Sequence, residues 1–237
     1  FVHTGEQENS LSHDVIFHII KDNKNKMWIG SFGGGISLAE NHNKNITFKH
    51  FISNKGSKSL IRCLFQDSKG MIWAGSSDGV IKFDPDELIE NPEKYISYTM
   101  DMNRSNSLSS NDIKTIFEDS NHTIWIGTAG GGLNKLIETP GQEEEYFLSF
   151  TADNGLADNY VLGILEYGEY LWISSESGLA RFHKTDHTIS VYQFAQKPFG
   201  NIFNEGAYCQ LRNGVMLWGN LDGLLVFDPA KFMPDDY

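Results

Sequence analysis

One line of sequence recurs five times in this chain, and it constrains the fold more than any other feature. It reads KMWIGSFGGGISLA (26–39), MIWAGSSDGVIKFD (71–84), TIWIGTAGGGLNKL (123–136), YLWISSESGLARFH (170–183) and VMLWGNLDGLLVFD (215–228). The small residue of each line is Gly30, Gly75, Gly127, Ser174 or Gly219, so the spacings are 45, 52, 47 and 45 residues. A period in the forties with one aromatic signature per unit belongs to β-propellers rather than to helical solenoids.

The third unit shows what each repeat builds. NDIKTIFED (111–119) sets Ile113, Thr115 and Phe117 against Lys114, Ile116 and Glu118 and is rich in β-branched and aromatic residues, which predicts a strand. SNHT turns the chain, and IWIG follows as a second strand with Trp125 and Gly127 on one face, because strand side chains alternate with period two. A small residue beside a Trp lets a neighbouring sheet approach. TAGGG supplies the next turn, and LNKLI and EYFLSF complete four short antiparallel strands. The same turn holds Asp78-Gly79 and Asp222-Gly223 in other units, a strong hairpin pair.

The expected fold is therefore an all-β propeller of four-stranded blades with almost no helix, five blades being present. They are expected at 12–51, 59–100, 109–151, 157–195 and 202–232, with 1–4 as the outer strand of a preceding or closing blade. The tryptophans read as packing between blades rather than as sugar platforms. Trp218 stands one position later than the others, which turns its indole to the opposite sheet face.

Bulk properties narrow the function. Lys and Arg total 19 against 31 Asp and Glu, a net charge of −12 that repels phosphate backbones and anionic membranes, so no nucleic-acid partner is expected. Cys63 and Cys209 read as two buried free thiols, and with no CxxC or Cys/His cluster neither a metal nor another cofactor is expected. No run of 18 apolar residues and no leader-like start is present. FVHTGEQENSLS (1–12) matches YTMDMNRSNSLS (98–109) at an offset of 97, so the chain begins mid-pattern and reads as excised from something longer.

The combined pattern at 107–134, SLSSNDIKTIFEDSNHTIWIGTAGGGLN, with variants around Asp14 and Asn159, resembles the two-component regulator propeller repeat. The resemblance covers all five units. It implies the sensor portion of a hybrid two-component system of gut Bacteroidetes, non-catalytic and periplasmic. It further implies two seven-bladed propellers, a β-sandwich, a membrane helix, a histidine kinase, a receiver and a DNA-binding domain. Such sensors are similar in recognising oligosaccharides, in controlling genes for polysaccharide use and in working as homodimers. Five repeats depart from seven, and the fifth resembles the last blade of the second propeller. Contact with a membrane would come only through downstream segments.

Ligands of propellers sit on the face where strand d leads into strand a and strand b turns into strand c, since loops vary while strands hold position. Here the first set of turns ends at Asp14, Ser59, Asn111, Asn159 and Asn204, and the second holds Phe32, Asp78, Ala129, Glu176 and Asp222. Asn111 and Asn159 read as residues that bond their own turns. Residues that differ between repeats are the better ligand contacts: His13, Arg62, Tyr160, Asn204 and Glu205. The expected ligand is a neutral or weakly charged oligosaccharide, with a basic patch of Lys55, Lys58 and Arg62 able to override the global sign. Two other readings compete. A self-contained five-bladed lectin would show equivalent pockets in every blade. A propeller glycosidase needs a carboxylate pair, for which Asp14, Asp78, Asp112 and Glu205 are the nominees.

Overall fold

The computed structural model describes residues 3, 10–42, 45–52, 56, 60–138, 145–193 and 200–232. Ser59, Lys55 and Lys58 lie outside them, as does most of 1–4. Five antiparallel sheets follow one another in the sequence. The first holds β1 (Ile16–Lys21), β2 (Met27–Ser31), β3 (Gly35–His42) and β4 (Asn45–Phe51). The second holds β5 (Ile61–Gln66), β6 (Ile72–Ser76), β7 (Gly79–Phe83) and β8 (Ile96–Tyr98). The third is built from β9 (Ile113–Glu118), β10 (Ile124–Thr128), β11 (Leu133–Ile137) and β12 (Tyr146–Phe150). The fourth is built from β13 (Val161–Tyr167), β14 (Tyr170–Ser175), β15 (Gly178–His183) and β16 (Ile189–Tyr192). The fifth has three strands among the described residues: β17 (Phe203–Gln210), β18 (Met216–Asn220) and β19 (Gly223–Phe227).

This is a five-bladed β-propeller with almost no helix. Among the described residues the helical elements are α1 (Pro85–Glu90) and a 3-10 turn at Ala152–Asn154, with Gly56 also in 3-10 conformation. The short helix starts where Asp84 accepts from the backbone N–H groups of Asp86 and Glu87 and Pro85 fills the first turn, a position that needs no donor.

Blade-to-blade packing follows from the Trp-x-Gly line. All five tryptophans are buried to 2% exposure or less, which rules them out as sugar platforms. Trp28 packs with Ile61, Leu64, Ala74 and Phe83 of the next blade, Trp73 with Ile113, Ile116 and Ile126, and Trp125 with Val161, Ile173 and Phe182. The glycine two residues later lets the next blade approach. A Cβ on Gly30 would lie 2.6 Å from Ile61 Cγ2, one on Gly75 2.6 Å from Ile113 Cγ2, and one on Gly127 2.5 Å from Val161 Cγ1. Each contact is with the first residue of the next inner strand, so the repeat carries its own joining rule.

A buried carboxylate holds three of these indoles. Trp28 Nε1 donates to Asp22 Oδ2 at 2.9 Å, Trp73 Nε1 to Asp67 Oδ2 at 2.7 Å and Trp125 Nε1 to Asp119 Oδ2 at 2.8 Å. The other oxygen of Asp119 accepts from the backbone N–H groups of Asn121 and Thr123, so one side chain closes the turn and orients the Trp. In the fourth blade the position six before Trp172 is Glu166, which instead accepts from the backbone N–H and hydroxyl of Ser120 in the third blade.

The fifth blade departs from the pattern. Trp218 packs back toward the fourth blade with Trp172 and Leu165 and stacks on Tyr208 at 5.7 Å, as its shifted position implies. The pairing of β17 with β18 breaks between Phe203↔Asn220 and Tyr208↔Trp218, and Cys209 then pairs with Leu217, whereas Cys63 pairs with Gly75. The residue nearest Gly219 is Ala207, whose Cβ would lie 2.9 Å from a Cβ added there. Ala207 is thus the counterpart of Cys63, and Cys209 is exposed, which corrects the expectation of two buried thiols. Burial pushes the Cys63 thiol up to about 12, leaving it an inert packing group.

Candidate functional site

The inner strands bring four charged side chains from three blades together. Arg62 is the second residue of β5, Asp112 precedes β9, Lys114 is the second residue of β9 and Glu205 lies in β17. Arg62 Nε is 3.2 Å from Asp112 Oδ1, and Arg62 Nη1 is 3.5 Å from Glu205 Oε1. Lys114 Nζ is 3.2 Å from Glu205 Oε2 and 3.6 Å from Asp112 Oδ2. Each carboxylate bridges both cations, and the two cations are the deeper members. Their side chains are 10% (Lys114) and 18% (Arg62) exposed, against 30% for Glu205 and 38% for Asp112.

The guanidinium also lies over two rings of the first blade, 5.1 Å from the Phe32 centroid and 5.9 Å from that of Phe17. The two rings are 5.2 Å apart, and Phe17 is 46% exposed. A polar quartet therefore abuts an open aromatic face, the combination that saccharide sites use to bond hydroxyls and stack a ring.

A second contact runs from the third blade to the fifth. Thr115 and Tyr208 bond through their hydroxyls at 2.6 Å. The fourth blade makes room for this reach: a Cβ on Gly163 of β13 would sit 2.3 Å from Tyr208 Cδ1. Burial raises the Tyr208 phenol above its ordinary value, so it stays neutral.

Of the residues singled out from sequence, Arg62 and Glu205 meet in this cluster. His13 instead accepts from the backbone N–H of Val15 at 3.0 Å, with its ring beside Gly33. Tyr160 is exposed by 42%, and its backbone N–H donates to Asp158. Asn204 is exposed on the irregular part of β17. Asn111 and Asn159 accept from the backbone N–H groups of Met100 and Ala152, each at 2.7 Å, which is the turn role. Asp222 accepts from Gly200, and Asp14 from His3. The sequence pattern put Phe32 on the ligand-bearing face but did not point to Lys114 or Phe17. Lys114 occupies the inner-strand position that Arg62 holds in the second blade, where the first and fourth blades have the apolar Phe17 and Leu162. Among the described residues no group of three or more His, Cys, Asp or Glu is arranged to hold a metal ion.

Comparison with known proteins agrees with the fold and bears on the site. The family described as the two component regulator propeller matches residues 10–33 and 107–130. Both matched stretches fall in the blades described above. They cover the inner two strands of the first and third blades and carry Phe17, Phe32, Asp112 and Lys114, while Arg62 and Glu205 fall outside them.

Over 98% of its length this chain is 26% identical to histidine kinase P4 of Formosa agariphila, of which it spans 17%. It is similar in fold to the extracellular domain of a putative hybrid two component system from B. thetaiotaomicron. There the TM-score is 0.74 at 16% identity, covering 96% of this chain and 30% of the other. PorZ, a surface component of the type-IX secretion system of Porphyromonas gingivalis, has a TM-score of 0.69 at 16% identity, with 95% and 34% covered. One architecture thus serves a sensor and a secretion component, so function has to be argued from the site.

Proposed function

We propose that this propeller is the ligand-sensing part of a histidine kinase of the hybrid two-component type. It binds an oligosaccharide without cleaving it, in the periplasm, and passes the signal to a kinase that controls genes for polysaccharide use. In this reading the whole receptor acts as a homodimer and the propeller itself touches neither nucleic acid nor membrane. The observation that carries it is the similarity to histidine kinase P4 along nearly the entire chain. The site supports it, with hydrogen-bonding groups and an open ring face at one place.

The site favours this over the two competing readings. A lectin with a pocket per blade needs equivalent residues in each unit, whereas this cluster draws different residue types from the second, third and fifth blades. A glycosidase needs two carboxyl groups free to face the scissile bond, and Asp112 and Glu205 are each engaged by both Arg62 and Lys114. The test is incubation of the chain with glycans while binding and product release are followed together. Binding without turnover is expected. Turnover abolished by Asp112→Asn or Glu205→Gln would replace the sensor with a glycosidase.

A further inference from the structure

We propose that Arg62 and Lys114 form the seat for a carboxylate of the ligand, which takes the place Glu205 fills in the free protein, and that the ligand's ring lies on Phe17. The ligand class is then an acidic sugar, a uronate within an oligosaccharide. This rests on the sensing reading and narrows it.

The geometry of the quartet carries the inference. Two cations from neighbouring blades stand so that one carboxylate spans them, and two internal carboxylates already do so with an oxygen on each. The seat therefore has the size and charge of a carboxylate. None of the four contacts is shorter than 3.2 Å, so the internal ion pairs leave room for a closer, charge-assisted geometry. The cations form the deeper floor and the carboxylates the more exposed layer, which is the order expected if an anion from solvent exchanges with one of them.

Glu205 is the carboxylate that can leave. Its backbone lies in the stretch of β17 between Phe203 and Tyr208 where the ladder with β18 is broken. Next to it, Gly206 has a φ of +70° and open space around its α-carbon. Asp112 is held more firmly, since its carbonyl accepts from Ala129 N–H at 2.8 Å. Arg62 is fixed from below by the Phe32 ring, so it stays in place when its partner changes. Exposed Phe17 then offers a flat apolar surface for the sugar ring beside the seat. The global charge of −12 opposes anions at long range, but two cations at contact distance outweigh a screened field.

Calorimetric titration of the chain with short oligomers of galacturonate, glucuronate and mannuronate, each beside its methyl-esterified form, tests this. Expected is binding of at least one acid form, at least about tenfold weaker for its ester and for Arg62→Gln or Lys114→Met. Glu205→Gln should bind the acid form more tightly, because the competing internal carboxylate is gone, and binding should weaken as salt rises. If the esters bind as well as the acids and Glu205→Gln is neutral or weaker, the uronate seat is wrong while the sensing reading stands. If neither panel binds a chain that melts cooperatively, ligand sensing at this site fails and the uronate seat with it. An Arg62 variant that does not fold leaves the decision to Glu205→Gln and the ester pairs.

Discussion

The joints between blades and the axial cluster obey opposite rules. At a joint, the same residue types recur: an indole buried under the next blade, a carboxylate six residues before it, a glycine two residues after it. In the cluster the residues do not run through the ring: Arg62 and Lys114 share one inner-strand position, where the first and fourth blades have Phe17 and Leu162, and Asp112 and Glu205 are particular to their blades. Repetition marks what every blade needs in order to stack, since stability in repeat folds is a sum of similar interfaces. Departure from repetition marks what only one place in the molecule does.

The comparison is most directly broken at a joint. Trp125 is fully buried and touches Phe150 and Phe182 at 6.4 and 5.4 Å between centroids. Trp125→Ala should cost about 3–5 kcal/mol, the range for emptying a large aromatic from a core. Denaturant unfolding measures it, and an unchanged midpoint would remove the joint as the source of stability.

Next in size is the glycine. Gly127→Val would push two methyls into Val161 and Thr115, whose side-chain atoms stand 2.5 and 2.6 Å from a Cβ at that position. Overpacking of this kind costs about 1–3 kcal/mol. Gly163→Val should cost a similar amount by displacing Tyr208, and it should also break the Thr115–Tyr208 bond. If Gly163→Val is tolerated with that bond intact, the fourth blade does not gate contact between the third and fifth.

A smaller difference isolates the carboxylate. Trp125→Phe and Trp172→Phe remove similar rings, but only Trp125 donates to a buried aspartate. The former should cost more by about 1 kcal/mol, the net worth of one such bond, and somewhat more if the freed Asp119 oxygen stays dry. Equal losses would mean that Asp119 serves its turn alone.

What the sequence made legible divides along the same line. Period, strand order, the buried Trp and the crowding at each glycine were readable, because each depends on residues close in the chain. The Asp22, Asp67 and Asp119 clamps were readable in principle from their constant spacing to Trp, but an Asp before a turn also explains itself locally. The cluster was half visible: unlike residues at like positions pointed to Arg62 and Glu205. Their meeting with Lys114 depends on β17 reaching Arg62 and Lys114 from the fifth blade, and no periodic signal encodes such a contact. The same break in β17 register put Cys209 outside when its place in the repeat suggested burial.

The cluster should matter little for stability. Its ion pairs are partly exposed, so Asp112→Asn should move the unfolding free energy by less than about 1 kcal/mol. A loss as large as that of Trp125→Ala would make the quartet a structural strut rather than a binding site.

The smallest expected effect is a pH dependence carried by three histidines, one of them at the first joint. His18, His50 and His187 lie below the ordinary imidazole value, with burial the foremost cause in each. His18 Nδ1 accepts from the Leu64 N–H at 2.9 Å across the first joint, a bond that only the unprotonated nitrogen can make. A base depressed in the fold contributes fully above its unfolded value of about 6.5, and the contribution is lost as pH falls below that value toward the folded one. Asp86, Asp186 and Asp228 are also depressed, Asp86 to about 2 through its hydrogen bonds from Lys24 and Lys26, but they act only below about pH 4. Between pH 7.5 and 5 the melting midpoint should therefore drop through histidine alone, by about 2–4 °C for each kcal/mol lost. Gln at position 18 can still accept from Leu64 and does not titrate, so His18→Gln should flatten part of that slope while keeping the midpoint at pH 7.5. An unchanged slope in this variant would assign the pH dependence to His50 and His187 and leave the first joint insensitive to acid.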